Sequence, residues 1–146
     1  MTGSMTRIAT YDDMEKMVVL AKEFHEISPF KSFRFSPSGT RNYFTSMMQS
    51  PSAVIIMHDD GFIGGGFSEY PFCEMVIAKE AFWYSRKEGL GGLPLLRKYV
   101  EWLDGKPVNI DLLSSLEIEG RRSDLVERLL RMNGYRLVEQ TYMRVV

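Results

Sequence analysis

A strand, a glycine-rich loop, a helix and a second strand follow one another within residues 75–113. Residues 75–84 form a strand-like run, and a loop with three glycines follows at 86–92. Residues 93–103 then carry apolar side chains at helical spacing, and 108–113 are again strand-like. A strand–helix–strand unit of this length joins two parallel strands through a crossover. This stretch therefore predicts one parallel strand pair in a layered α/β domain.

The rest of the chain alternates between helical and strand-like segments. A short strand is predicted at 6–10, a hairpin around the turn at 59–61, and a final strand or strand pair at 135–145. Helices are predicted at 11–27, 37–48, 93–103 and 123–132. The predicted inward faces of the last two helices are Leu93, Leu96, Val100 and Leu103, and Leu125, Val126, Leu129 and Leu130. We expect a single α/β domain over 6–146, with a mixed, mostly antiparallel central sheet flanked by helices. Residues 1–5 are set aside as a cloning remnant or a disordered start.

The composition argues against several classes of function. The 146 residues carry a net charge of −1, so no basic field indicates a nucleic-acid partner. No apolar run approaches the roughly 20 residues needed to cross a bilayer. Cys73 is the single cysteine, which fits a reducing cytoplasm, and we expect a buried or unreactive thiol. His25 and His58 lack the spacing of zinc ligands, so we expect no metal.

The glycine loop at 86–92 presents backbone N–H groups at the start of a helix. Together with the helix dipole, these donors favour an anion such as phosphate, and Arg86 and Lys87 add positive charge. The loop lacks the G-x-x-x-x-G-K-[ST] pattern of a P-loop. Pro94 occupies the third glycine position of a dinucleotide fingerprint. From these residues alone, an anion site and a tight turn without a ligand both stay open.

The run RKEGLG at 86–91 fits the pattern R/Q-x-x-G-x-G/A and resembles the signature of the GNAT acetyltransferase superfamily. The order of elements over 6–146 is also similar to that family. The run AKEAFWY at 78–84 resembles its small, often phage-encoded members, and NGY at 133–135 resembles its step into the final strand. The resemblance implies a GNAT-like acyl-CoA N-acyltransferase fold for nearly the whole chain.

The resemblance also implies acetyl-CoA as cosubstrate and a primary amine, on a small molecule or a protein, as acceptor. The amine would attack the thioester directly in a ternary complex. Glu80, on the strand near the expected reaction centre, is the predicted base, acting directly or through water. The predicted cosubstrate-binding residues are Phe82, Trp83, Tyr84, Arg86, Lys87, Gly89, Leu90, Gly91 and Gly92.

Two departures from the family pattern bear on activity. Ser85 runs directly into Arg86, whereas the family commonly places several residues between the strand and the arginine. Leu130 stands where many members carry the tyrosine that protonates the leaving thiolate. Ser114, after the next strand, is the predicted substitute acid, and Tyr142 is the alternative. These departures keep open a second interpretation, a GNAT-fold module that binds CoA or a protein without turnover.

The segment PFKSFRF at 29–35 interleaves aromatic and basic residues. Such a pattern can bind single-stranded nucleic acid, but it stands alone in a nearly neutral chain. In the resembled family this connection shapes the acceptor site, so Phe30, Phe33 and Arg34 are the predicted acceptor-binding residues. The alternative is a loop that buries its phenylalanines in the core. The sequence leaves monomer and homodimer open.

Overall fold

The computed structural model describes residues 5–146, in which five strands form one sheet and four α-helices cover it. The strands are β1 (Arg7–Ile8), β2 (Ala53–His58), β3 (Gly61–Glu69), β4 (Val76–Ser85) and β5 (Ile110–Leu112). The helices are α1 (Met14–Glu26), α2 (Pro37–Gln49), α3 (Leu93–Asp104) and α4 (Ser123–Met132). Short 3-10 turns at Tyr11–Asp13 and Gly89–Gly92 lead into α1 and α3. The predicted cloning remnant or disordered start lies outside the described residues, except for Met5.

The sheet confirms the mixed, mostly antiparallel arrangement. Its order is β1-β2-β3-β4-β5, so each strand neighbours the next along the chain. The first three pairs are antiparallel, and β4 and β5 are parallel. Helix α3 makes the crossover between the two parallel strands, as the unit at 75–113 predicted. Within 5–146, no helix combines the length and the hydropathy needed to cross a membrane.

Two hydrophobic cores lie on opposite faces of the sheet. Alternate residues of β2 divide between them, with Ile55 and Met57 on one side and Val54 and Ile56 on the other. Both sides of this strand are buried, which explains why its sequence is continuously apolar. The first core is built with side chains of α1 and α2, and the second with side chains of α3 and α4.

Local signals set the ends of the helices. Helix α2 begins at Pro37, which lies in its first turn, where no backbone donor is needed. The Ser36 hydroxyl accepts the Gly39 N–H at 3.1 Å and satisfies one of the free donors of that turn. Helix α3 ends at Asp104, one residue past the predicted end at 103, and Gly105 follows it. These contacts explain why the helix bounds could be predicted to within a few residues.

The predicted inward faces were partly wrong. In α3 the buried side chains are Leu95, Leu96, Tyr99 and Leu103, and Leu93 and Val100 lie only at the margin of the core. In α4 only Leu130 is buried, and Leu125 is exposed. The apolar stripe of α4 is wider than the surface that the sheet offers it. Cys73 is exposed, so the first of the two expectations, a buried thiol, was wrong, and the second, an unreactive thiol, stays a prediction.

The predicted strand at 135–145 is absent. Residues 135–146 have no regular secondary structure, and most of their apolar side chains are exposed. The physical reason is in the pattern: apolar residues come in adjacent pairs, at 137–138, 142–143 and 145–146, and so point to both sides of any strand. In addition, β5 pairs with β4 over only three residues and offers a short edge. The segment therefore has no single face to bury.

A β-bulge at Ala81 changes the direction of the side chains along β4. Gly64 pairs with Phe82 and Gly65 pairs with Glu80, which leaves Ala81 without a partner. Past the bulge, Phe82 packs in the core on the α1–α2 side, with its ring centroid 4.6 Å from that of Phe62. Glycine is required opposite the bulge, because a Cβ on Gly64 would lie 2.2 Å from the Phe82 ring.

We predict that Gly65→Ala destabilises the fold by about 1–3 kcal/mol through overpacking. Its Cβ would lie 2.8 Å from the Lys79 carbonyl oxygen and 2.5 Å from the Tyr99 hydroxyl, and the carbonyl belongs to the backbone and cannot rotate away. The matched control is Gly105→Ala, because the nearest atom to its Cβ would be the Trp102 carbonyl oxygen at 3.9 Å. Urea unfolding measures both variants, and equal stabilities would contradict the prediction.

Candidate functional site

The strands β4 and β5 part after three residue pairs. Residues 77–79 pair with Ile110, Asp111 and Leu112, and from Glu80 onward no described strand pairs with that side of β4. The chain after β5 continues as the irregular segment 113–122. The end of β4 therefore has backbone N–H and C=O groups without a ladder partner, beside a fork between the strands. We call this opening the β4–β5 fork.

Glu80 lies at the point where the strands part. It is 7% exposed, and its Oε1 accepts the backbone N–H of Ser114 at 2.9 Å. Burial raises the pKa of Glu80 to about 7, and the hydrogen bond from Ser114 and the charge of Lys79 only partly oppose the shift. The two predicted catalytic residues are therefore neighbours. Their contact is made by the backbone of Ser114 and not by its hydroxyl.

Two tyrosines that the sequence did not single out lie near Glu80. Burial raises the pKa of Tyr43 and of Tyr99, and the Glu80 charge adds to both shifts. Tyr43, on α2, is half exposed, and its ring meets the edge of Phe82. Tyr99, on α3, is fully buried, and its hydroxyl has no hydrogen-bond partner among the described residues. Nothing in the sequence distinguishes a helical tyrosine that lies near Glu80 from one at an ordinary core or surface position.

The other predicted proton donors lie elsewhere. Leu130, in the position where the resemblance expected a tyrosine, is a buried member of the core on the α3–α4 side. Tyr142 lies in the irregular C-terminal segment and is 86% exposed. The structure therefore leaves Tyr142 outside the buried surroundings of Glu80.

The glycine turn packs directly on the end of β4. The Trp83 indole N–H donates to the Gly92 carbonyl at 3.1 Å, and a Cβ on Gly92 would lie 2.9 Å from the same nitrogen. A Cβ on Gly91 would lie 2.6 Å from the Lys87 Cβ. These glycines are thus explained by close packing, and they also precede the first turn of α3, in which Leu93 donates its N–H to the Leu90 carbonyl and Pro94 has no N–H to donate. Leu90, which directly precedes Gly91, is exposed.

The basic residues of the turn are already paired with carboxylates. Arg86 donates two hydrogen bonds to Glu23 on α1, at 2.8 and 2.7 Å, and the Tyr84 hydroxyl donates to the same carboxylate at 3.2 Å. The Arg86 guanidinium holds the pKa of Glu23 below its usual value. Lys87 lies 3.3 Å from Asp60. The predicted phosphate ligand Arg86 therefore points to α1 in this structure.

Arg121 is a residue that sequence reasoning missed. Its guanidinium donates to the carbonyl oxygens of Ser85 at 2.6 Å and Arg86 at 3.3 Å. The same group lies over the Tyr84 ring, 5.4 Å from its centroid. Arg121 thus satisfies backbone acceptors at the end of β4, where a strand partner is missing. Nothing in the run EGRRSD at 119–124 distinguishes this arginine from its neighbour.

The predicted acceptor loop lies beside the segment that carries Ser114. The Glu119 N–H donates to the Ile27 carbonyl at 2.9 Å, and Lys31 forms an ion pair with Glu119. Phe30 and Phe33 are both exposed, so the alternative that they are buried in the core was wrong. Arg34 is exposed as well.

Comparison with solved structures covers almost the whole chain. A transcriptional regulator from Bacillus halodurans matches with a TM-score of 0.75 and 16% identity, over 98% of this chain and 99% of that one. An acetyltransferase from Trypanosoma brucei matches with a TM-score of 0.72 and 12% identity, over 98% of this chain and 99% of that one. A GNAT family acetyltransferase from Staphylococcus aureus matches with a TM-score of 0.62 and 12% identity, over 99% of this chain and 100% of that one. This chain has the GNAT fold. No protein-family model matches the sequence, and no curated protein does.

Within this GNAT fold, the structure brings most of the predicted site residues together. The fork, the end of β4 and the glycine turn are continuous in the chain, and Ser114 reaches the fork from the other side. Two predicted members are directed elsewhere, since Arg86 is held by Glu23 and the side chain of Trp83 packs on the α3 side. The roles of these residues stay predictions.

We predict that Glu80 makes stability fall as pH rises. Its folded pKa of about 7 lies above its usual value of 4.5, so between these values the folded state binds the extra proton, and stability is lost as the carboxyl ionises. The free energy of unfolding of wild type should therefore fall by on the order of 2–3 kcal/mol relative to that of Glu80→Gln when the pH rises from about 5 to about 8. Urea unfolding at both pH values measures this change. Glu101→Gln, at an exposed position on α3, is the control, and parallel curves for Glu80→Gln and wild type would contradict the prediction.

Proposed function

We propose that this chain is an acetyl-CoA-dependent N-acetyltransferase that transfers the acetyl group to a primary amine by direct attack in a ternary complex. The observation that carries the proposal is the buried Glu80 carboxyl at the β4–β5 fork, with a pKa of about 7. A carboxylate with this pKa is suited to accept a proton near neutral pH. The GNAT fold supports the proposal, since structures with this fold from Trypanosoma brucei and Staphylococcus aureus are named acetyltransferases.

The residues at the fork fit an elongated ligand that ends in a phosphate group. The backbone groups of 82–84 on the β5 side have no strand partner and can pair with an amide-containing chain as a strand would. The glycine turn at Gly89–Gly92 precedes the 12-residue helix α3, whose dipole favours a pyrophosphate. Lys87 and Arg86 would add charge there on leaving Asp60 and Glu23.

The proposed chemistry uses Glu80 as the proton acceptor. Bound acetyl-CoA supplies a thioester carbonyl carbon. The amine nitrogen forms a bond to that carbon, the carbon–sulfur bond breaks, and the proton of the amine goes to Glu80. The leaving thiolate takes a proton from solvent or from Tyr43, whose half-exposed ring lies beside Phe82. The Ser114 N–H stabilises the ionised form of Glu80 that starts the cycle.

The acceptor side is proposed to be the surface of the α1–α2 connection. Phe30, Phe33 and Arg34 are exposed there, next to the segment that carries Ser114. The aromatic rings and the guanidinium would contact the acceptor around its amine, on a small molecule or a protein. The single cysteine and the near-neutral charge are consistent with our proposal of a cytoplasmic protein.

A second candidate function is a GNAT-fold module that binds CoA or a protein without turnover. Two observations favour it: the Arg86 guanidinium donates two hydrogen bonds to Glu23, and Leu130 is a core residue where the family commonly has the tyrosine acid. Release of free thiol from acetyl-CoA in the presence of a panel of amines separates the two candidates. Tight CoA binding without thiol release would favour the module.

We predict that Gly91→Glu abolishes CoA binding. The new carboxylate would add bulk against Lys87 and a negative charge where the pyrophosphate is proposed to bind. Gln49→Glu, on the exposed end of α2, adds the same single charge and should bind CoA as wild type does. Isothermal titration measures all three proteins. Absence of heat with wild type at millimolar CoA, or equal affinities for wild type and Gly91→Glu, would reject the proposed site.

We predict that Glu80→Gln lowers kcat by about 10²–10⁴, the usual contribution of a general base, and leaves CoA affinity intact. The loss should shrink as pH rises toward the pKa of the acceptor amine, which then deprotonates without help. Ser114→Ala, which keeps the backbone N–H that contacts Glu80 and removes only the hydroxyl, tests separately whether that hydroxyl is the acid. A pH–rate profile of the three proteins measures the effect. A large loss of kcat in Ser114→Ala would indicate that the Ser114 hydroxyl protonates the leaving thiolate. Equal rates for Glu80→Gln and wild type would reject Glu80 as base.

A further inference from the structure

The turn between β2 and β3 packs against the loop that carries the glycine turn. The Arg86 N–H donates to the Asp60 carbonyl at 2.7 Å, and the Lys87 ammonium lies 3.3 Å from the Asp60 carboxylate. His58, the last residue of β2, reaches the glycine turn itself, because its Nε2 lies 3.3 Å from the carbonyl oxygen of Gly91. The proposed chemistry makes no use of this histidine.

The hydrogen bonds of His58 assign its tautomer. The Asp60 N–H donates to Nδ1 of His58 at 3.0 Å, and only a ring nitrogen without a hydrogen can accept that bond. The hydrogen of the imidazole is then on the other nitrogen. Nε2 therefore donates to the Gly91 carbonyl. In this way the half-buried His58 joins the backbone of the β2–β3 turn to that of the glycine turn.

The last two carbonyls of the glycine turn are each held by a ring N–H. His58 donates to the Gly91 carbonyl from β2, and Trp83 donates to the Gly92 carbonyl from β4, at 3.1 Å. A peptide unit is planar, so a donor that holds its carbonyl also fixes the direction of its N–H. Glycine has access to more backbone conformations than any other residue, so peptide units between glycines depend on such contacts. The two rings therefore set the orientation of the backbone just before α3.

We propose that His58 is a positioning residue of the CoA site, whose Nε2–H holds the glycine turn in the orientation that receives the pyrophosphate. This inference rests on the proposed function, because the pyrophosphate is that of the proposed cosubstrate. A carbonyl oxygen carries a partial negative charge, and one that turned toward the pyrophosphate would repel it. His58 keeps the Gly91 oxygen engaged on the β2 side, so that the positive end of the α3 dipole dominates the field at the turn. His58 acts through the turn and does not itself contact CoA.

Two substitutions separate the two hydrogen bonds of His58. His58→Gln places an amide N–H near the position of Nε2 and can still donate to the Gly91 carbonyl. His58→Asn places an amide oxygen near the position of Nδ1 and can still accept the Asp60 N–H, but its shorter side chain cannot reach Gly91. A role confined to the β2–β3 turn therefore predicts that Asn is the better replacement, and a role in the CoA site predicts that Gln is.

Isothermal titration of the full chain with CoA measures the difference. His58→Gln should bind CoA within about twofold of wild type, whereas the dissociation constant of His58→Asn should rise about tenfold, the scale of one lost hydrogen bond. His25→Asn is the matched control, since the Nε2 of His25 also contacts a backbone carbonyl, that of Phe33, but lies on α1. It should bind CoA as wild type does. Equal affinities of the two His58 variants, or weaker binding by His58→Gln than by His58→Asn, would overturn the proposal.

Two measurements without CoA separate this inference from the proposed function. The Gly91 amide should exchange its hydrogen faster in His58→Asn than in wild type and His58→Gln, and equal exchange in all three would overturn the role of His58. Nitrogen NMR of wild type should show the hydrogen of the His58 ring on Nε2, and a hydrogen on Nδ1 alone would overturn it without any variant. If wild type binds no CoA, the proposed function fails, and the exchange result still decides whether His58 holds the glycine turn.

Discussion

The parting of β4 and β5 after three residue pairs is the constraint on which the rest of the structure depends. A longer parallel ladder would pair the end of β4 with β5 and leave no space beside Glu80. Because the ladder stops, Ser114 can approach the Glu80 carboxyl with its backbone N–H. The free acceptors farther along are satisfied from outside the sheet, by the guanidinium of Arg121. Both contacts lie beyond the same end of the ladder, where β4 continues without a strand partner.

The bulge at Ala81 works together with this opening. It lets β4 serve two cores, with Ala78 packed on the α3–α4 side before the bulge and Phe82 packed on the α1–α2 side after it. The glycines of β3 make the arrangement sterically feasible, because the Phe82 ring and the Tyr99 hydroxyl occupy the volume of their missing side chains. A strand with three successive glycines has a low intrinsic preference for a sheet. Contacts across the sheet thus outweigh local preference in β3.

Burial of Glu80 is an electrostatic cost that the fold retains. The Glu80 carboxylate would be more favourable in water, and only one backbone N–H and the charge of the adjacent Lys79 oppose the rise of its pKa. The carboxylates at the glycine turn show the opposite case, because Glu23 and Asp60 are matched by Arg86 and Lys87. The carboxylates of Glu23 and Asp60 are therefore neutralised by neighbouring cations, whereas the Glu80 carboxyl is buried and has no ion-pair partner among the described residues. That contrast is typical of a functional position more than of a structural one.

The sequence by itself determined the helices, the hairpin, the parallel crossover and the position of Glu80 before the glycine loop. These features follow from short-range signals, namely periodicity, caps and turn residues, which act within a few positions. It could not determine the bulge at Ala81, the capping role of Arg121 or the pairing of Arg86 with Glu23, because each depends on residues that are distant in the chain. The same limit explains the wrong strand at 135–145: its composition suits a strand, but a strand forms only where a neighbouring edge can receive it. Tertiary structure decided which edges are paired and which carboxyl is buried, since pairing and desolvation depend on the whole packed molecule.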